Sequence, residues 1–299
     1  MSSIYQRLYH SVFKVYERRD LREWEKEPER TKPLYVVYHV FCDRGWETIV
    51  ERQIASLKDS GLLDAVTKLY VSCIAHQDSD VARLKEIIDS DKMEIISDVR
   101  DPLKFEYPAL KFIYELSQKE DCLICYFHTK GISYQTTESN DRTFVSFKKK
   151  IVSWCRMMEY FNFYKWRVAV NALNHGYDTY GCYRWPPRNY KMFSGSFWWA
   201  ASSYIKTLPP FNPAVIRRDR FYSETWLYER PQKDFSAFDT VADLYFVNIP
   251  QSVYADGKPR FSDVVKFVFT YNYRKILKHL FGYNYKKRCQ RKFQKINNK

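Results

Sequence analysis

Four short apolar runs alternate with helix-patterned stretches between Leu34 and Gly131, and that alternation limits the fold more than anything else in the chain. Leu34–Phe41 (LYVVYHVF), Lys68–Ala75 (KLYVSCIA), Met93–Ile96 and the run inside Cys122–Gly131 (CLICYFHTKG) are rich in β-branched and aromatic residues, as strands are. Trp46–Lys58 carries Ile49, Val50, Ile54 and Leu57 on one helical face, with Gly61 placed to stop it. Asp80–Asp89 opens on acidic residues that complement a helix dipole, and Tyr107–Leu116 tolerates Pro108 in its first turn. The fourth run shows no polar alternation and is too short for a membrane helix, so it reads as a strand buried on both faces. Repeated strand–helix units predict an α/β fold with a mostly parallel, doubly wound central sheet. Asp43-Arg44-Gly45 follows the first strand where a dinucleotide fingerprint would place G-x-G-x-x-G, which argues against a dinucleotide.

The remainder is patterned less regularly. Ile4, Leu8, Val12 and Tyr16 predict an amphipathic helix within residues 1–32, ending in a linker. A polar loop over 133–142 precedes a helical region, 143–175. Asp178–Cys182, Lys191–Ala201 and Leu244–Ile249 read as further strands, and Arg220–Tyr228 as a short helix or turn. From Ser262 the chain is helical and basic. The expected domains are 1–32, a helix and linker; 33–260, divided into a nucleotide-binding half (33–132) and an acceptor half (133–260); and 261–299, a basic amphipathic tail.

Charge and cysteine usage narrow the partners. The 299 residues carry a formal net charge of +14, and no Asp or Glu occurs from Val264 onward. Tyr271–Lys299 mixes Tyr, Phe and Leu with Lys and Arg, the composition of an element that lies on an anionic membrane surface. A nucleic-acid-binding protein is the alternative that charge and aromatics allow. Basic residues concentrate in the tail and no nucleic-acid motif is present, so nucleic acid is not expected as a partner. Of the seven cysteines, Cys122 and Cys125 form a CxxC inside a strand, where they point to opposite faces; a zinc or redox pair is not expected. Cys42, Cys73, Cys122, Cys125 and Cys182 read as small core residues. With no signal-peptide pattern in MSSIYQRLYHSVFKVYERRD and no apolar run of bilayer length, the expected location is cytoplasmic, peripheral to the inner face of the cell membrane.

Ligands of open α/β sheets sit at the carboxyl ends of the strands. His128, Thr129, Lys130 and Gly131 bring an imidazole, a hydroxyl, an ammonium and a flexible turn to such an end, which suits an anionic ligand such as a diphosphate. The same residues would serve equally as a solvated turn. His39 and Phe41 close the first strand and His76 follows the second, with core packing as the competing role. Glu106 precedes the helix that leads into the fourth strand.

Three boxes occur in order: YFHTKGIS at 126–133, FSGSFWWA at 193–200 with YIKTLP at 204–209, and RFYSETWL at 220–227. Together they resemble a group of bacterial glycosyltransferases that build capsular, O-antigen and related cell-surface polysaccharides. The resemblance covers about residues 35–250, and Ser196 departs from it where the family usually has Asn. It implies a GT-A fold and inverting transfer of a sugar from a nucleotide donor such as a UDP-sugar to a growing glycan or lipid-linked oligosaccharide. His39, Phe41, His76 and Glu106 would then meet the base and ribose, and His128, Thr129, Lys130 and Gly131 the donor diphosphate. Ser196, Trp198, Trp199, Arg220 and Tyr222 would meet the acceptor; one of the two Trp residues is expected to face the cleft. Glu224 would be the catalytic base, with Asp219 and Glu229 as spares; its competing role is a surface bridge to Arg220. His128-Thr129-Lys130 stands where GT-A enzymes carry Asp-x-Asp, so no metal ligand is expected there. Mg²⁺ or Mn²⁺ on Asp98, Asp101 or another carboxylate stays open.

Overall fold

The computed structural model describes residues 14–187, 189–216 and 218–297. Contacts divide the chain into two units: Asp20–Ile132 with Met158–Ala237, and Ser133–Met157 with Phe238 onward and the segment ending at Arg19. One boundary of this partition falls between Ile132 and Ser133.

The first unit is α/β. Its seven-stranded sheet comprises β1 (Leu34–Phe41), β2 (Lys68–Ile74), β3 (Met93–Val99), β4 (Leu123–His128), β5 (Thr179–Gly181), β6 (Trp198–Ala201) and β7 (Asp234–Ser236). Across the sheet the order is β7-β5-β6-β4-β1-β2-β3. β3, β2, β1 and β4 run parallel, β6 runs antiparallel to both β4 and β5, and β7 is parallel to β5. Every residue of β4 is buried, and all of β1 except Phe41, which is why neither strand shows polar alternation.

Helices α1 (Trp46–Asp59), α2 (Asp78–Ile88) and α3 (Tyr107–Lys119) follow the first three strands. α1 buries the predicted face of Ile49, Val50, Ile54 and Leu57, and α3 buries Ala109, Leu110 and Ile113. The Asp80 side chain turns back to the Gln77 N–H in a capping box that starts α2.

Lys191–Ala201 is not one strand. Met192–Phe193 pairs with Arg184–Trp185, and the chain turns at Gly195 (φ 79°) and Ser196 (φ 56°) before β6 begins. A left-handed pair cannot continue a pleated ladder, and Gly195 is what permits the turn. Gly181 is required for space: a Cβ there would lie 2.4 Å from the Phe193 ring. Trp198 and Trp199, expected to split between core and cleft, are both buried. Trp199 donates Nε1–H to Asn162 O at 3.0 Å, and Trp198 packs on Tyr126 with ring centroids 5.0 Å apart.

The second unit holds α4 (Arg142–Glu159) except its last two residues, and the tail helices α6 (Phe261–Phe281) and α7 (Tyr285–Asn297), broken at Gly282. α5, Trp166–Asn174, belongs to the first unit. The helix expected over residues 4–16 falls mostly outside the described residues, and its end is instead a strand, Tyr16–Arg18, antiparallel to Phe238–Thr240. Leu244–Ile249 is not a strand either. Leu244, Phe246, Val247 and Ile249 are buried, but Asp243 accepts the backbone N–H groups of Phe246 and Val247 and closes a turn. Burial alone had produced the strand-like composition. All seven cysteines are buried and unbridged, and no described helix is long and apolar enough to cross a membrane.

Candidate functional site

The connections from β1 run outward through β2 to β3, and the chain then returns to the other flank of β1 for β4. That reversal makes the carboxyl ends of β1 and β4 the switch point, where an open α/β sheet leaves a crevice. His39 pairs with His128 as the last register match between them. Beyond it Thr129 continues the join: its N–H donates to His39 O at 3.1 Å and its Oγ1 accepts from Phe41 N–H at 3.0 Å. Gln53 of α1 donates to His128 O at 3.3 Å. Thr129 is therefore buried stitching between two strands, and Gly131, at φ 71°, turns the chain away.

Two carboxylates meet the side chains of this tip. His128 Nδ1 lies 3.2 Å from Glu106 Oε1, and Ser223 Oγ donates to Glu106 Oε2 at 2.9 Å. Lys130 Nζ lies 2.6 Å from Glu224 Oε1, with both side chains about four-fifths buried. Burial opposes the charge on Glu106, but the hydrogen bond and charge of His128, with Lys130 nearby, hold its carboxyl well below the usual range. His39 sits with Nδ1 3.3 Å from Ser72 Oγ, and burial pushes its imidazole down to about 4. It is a neutral core histidine and brings no positive charge to the crevice.

The expectation that His128 and Lys130 present bare positive charge to a diphosphate needs correcting: each is engaged by a carboxylate of the protein. The tip is a place to hold and move protons as much as a place to attract anions. Glu224 also does not bridge to Arg220, whose guanidinium stacks 4.7 Å from the Phe221 ring.

Three buried polar atoms at this tip have no hydrogen-bond partner among the described residues: Tyr126 Oη, His128 Nε2 and Ser196 Oγ. Tyr126 and His128 are two apart on β4 and share a face, their ring centroids 6.0 Å apart. Phe197, the neighbour of Ser196, packs against His128 with ring centroids 5.6 Å apart. With Nδ1 engaged by Glu106, Nε2 is the ring nitrogen of His128 left for a ligand. Tyr126 escaped the sequence reading although its i−2 spacing from His128 was the signal. Ser223 gave no signal, because its role depends on a contact 117 positions away.

The other expected residues scatter. His76 is exposed, its ring 6.2 Å from that of Phe41, so the two flank the ends of β1 and β2. Tyr222 packs against Phe211 at 5.2 Å as part of the apolar cluster. Asp101 accepts the Leu103 N–H, Asp98 lies 3.7 Å from Arg100, and Asp219 accepts the Phe221 N–H. Among the described residues no group of three or more His, Cys, Asp or Glu side chains is arranged to hold a metal ion.

No protein-family profile matches the chain, and no curated protein matches it in sequence. Among solved structures, 4-diphosphocytidyl-2C-methyl-D-erythritol synthase from Anaerococcus prevotii superposes with a TM-score of 0.35 at 7% identity, over 80% of this chain and 98% of that one. The site is accordingly read from this chain's own residues.

Proposed function

We propose that the α/β unit is a glycosyltransferase of the GT-A type, moving a sugar from a nucleotide donor, in the first instance a UDP-sugar, to a glycan or lipid-linked oligosaccharide of the kind found in surface polysaccharides. The observation that carries the reading is the Lys130–Glu224 pair at 2.6 Å, which joins the HTKG box to the SETW box at the tip of β4. Two segments singled out for their likeness to one enzyme group thus meet beside the switch point.

In this reading Phe41 and His76 flank the nucleobase, and the diphosphate lies near the backbone turn of Thr129–Gly131. Glu224, steadied by Lys130 through one carboxylate oxygen, takes the proton of the acceptor hydroxyl. The hydroxyl oxygen bonds to the anomeric carbon from the face opposite the diphosphate, the bond from that carbon to the donor oxygen breaks, and the nucleoside diphosphate leaves. Lys130 is placed to follow the shift of negative charge towards the leaving group. His128, oriented by Glu106, offers Nε2 to a substrate hydroxyl.

UDP is expected to raise the melting temperature, a stabilisation of about 2.7 kcal/mol at one hundred times its Kd. NAD, S-adenosylmethionine and short DNA should leave melting unchanged. A chain indifferent to UDP and to every other nucleoside diphosphate does not carry this function.

The tail completes the proposal with an anionic membrane surface as partner. On α6, Phe261, Val265, Phe269, Tyr273, Ile276 and Leu280 are exposed and recur at helical spacing, forming one apolar stripe. Lys266, Arg274, Lys275 and Lys278 lie on the same helix, and each basic residue near an anionic surface contributes about 1 kcal/mol. Phe269→Glu with Leu280→Glu should weaken binding to phosphatidylglycerol vesicles at least about tenfold and spare binding of UDP. Undiminished sedimentation with vesicles would remove the membrane from the account.

A further inference from the structure

The α/β unit contains a cavity of about 840 Å³ between the segment that leads from β3 into α3 and the residues Pro213, Ala214, Arg218 and Arg220. Leu103, Phe105, Tyr107, Pro213 and Ala214 give it largely apolar walls, and Lys104, Arg218 and Arg220 bring three cations to it. The one acidic residue of the lining, Asp101, directs its carboxylate to the Leu103 N–H at 3.0 Å. None of the three cations has an ion-pair partner among the described residues, in contrast to Lys130. Leu103 is 66% exposed, a large apolar side chain left open to the space. Phe105 beside it is held at φ 44°, a conformation that a bulky residue adopts only at a cost, so the surrounding packing fixes this wall.

Unpaired guanidinium groups match phosphate oxygens in a planar, two-pronged geometry, whereas a sugar hydroxyl would leave their charge unanswered. Apolar walls beside them are poor partners for a wholly hydrated anion such as free phosphate. We propose that this cavity is a binding site for an amphiphilic organic diphosphate, with its anionic end held by Lys104, Arg218 and Arg220 and its apolar body lying on Leu103, Phe105 and Tyr107. The inference rests on the lining of the cavity, which shares only Arg220 with the expected acceptor set, and not on the Lys130–Glu224 tip.

Geranyl diphosphate and inorganic pyrophosphate are suitable probes, titrated calorimetrically into the full chain. Geranyl diphosphate should bind the wild type more tightly than pyrophosphate does. Arg218→Ala with Arg220→Ala should weaken both at least about tenfold, since each lost charge-assisted hydrogen bond costs well over the free energy of a tenfold change. Leu103→Ser should weaken geranyl diphosphate alone. Arg218, Arg220 and Leu103 are surface-accessible, and unchanged melting of their variants confirms that the fold survives. Failure of geranyl diphosphate to bind the wild type, or equal binding by the double variant, would overturn the proposal. UDP titrated into the same proteins keeps the two readings apart. A protein that binds geranyl diphosphate through the arginines and ignores UDP retains this site and loses the transfer function.

Discussion

Glu224→Gln is expected to lower kcat for sugar transfer by about 10²–10⁴-fold, the range a positioned general base contributes, while UDP still binds. Gln keeps the volume of the side chain and can still accept a hydrogen bond from Lys130, but it cannot take the acceptor's proton at neutral pH. The comparison variant is Lys130→Met. If Lys130 only steadies Glu224, its removal lowers kcat less than loss of the carboxylate does. If it also follows charge to the leaving group, donors with poorer leaving groups suffer most. Ser223, next to Glu224 in sequence, already donates to Glu106, so both carboxylates are tied to one short turn. Retained turnover in Glu224→Gln would shift the search for the base to His128, whose Nε2 has no partner among the described residues.

Glu106→Gln and His128→Gln should each cost about 1.5–3 kcal/mol of stability, the contribution of a buried hydrogen bond to a charged group. The double substitution should cost less than the two together by about 1 kcal/mol or more, because the second change removes a partner already lost. The carboxyl of Glu106 is held below the usual range chiefly by His128 once its burial has been overcome. A folded-state carboxyl depressed in this way stabilises above its unfolded value, and the contribution is lost as pH falls through the folded one. Acid unfolding of the wild type should therefore steepen below about pH 4, where an unfolded glutamate begins to take its proton. Glu106→Gln should flatten that part of the curve. Strictly additive costs would mean that Glu106 and His128 do not act as a unit.

The parallel half of the sheet was legible because its strands are buried on both faces: Leu34–Phe41 and the run ending at His128 have no polar alternation to confuse with a helix. Their rank in the strand–helix series also placed the HTKG box at a carboxyl end, and the structure adds that this end is the switch point. The break at Gly195-Ser196 was not legible, since FSGSFWWA has strand-like residues on both sides and the turn depends on left-handed backbone angles at two residues. Leu244–Ile249 misled for a related reason: apolar content reports burial, and a buried turn capped by Asp243 needs it as much as a strand does. Trp198 and Trp199 illustrate the limit of period-two logic, because β6 lies inside the sheet with both of its faces covered.

At the site, residue types were legible and their partners were not. Lys130 and Glu224 were each singled out, yet their pairing spans 94 positions and follows from how the turn at Tyr222–Thr225 sits against β4. His39 was read as a ligand group from its place at a strand end; Ser72 on the adjoining strand and full burial make it a neutral core residue instead. The cavity beside Lys104, Arg218 and Arg220 joins Lys104 to two arginines more than a hundred positions further on, and of the three only Arg220 had been singled out in the sequence.

Hydrogen–deuterium exchange with and without UDP tests the central claim most directly, because it reports where the nucleotide sits as well as whether it binds. The account predicts slowed exchange in peptides covering Phe41–Gly45 and His128–Gly131, with the segment around Glu224 following. Unchanged exchange at both strand ends in the presence of bound UDP, or protection confined to other segments, would contradict it.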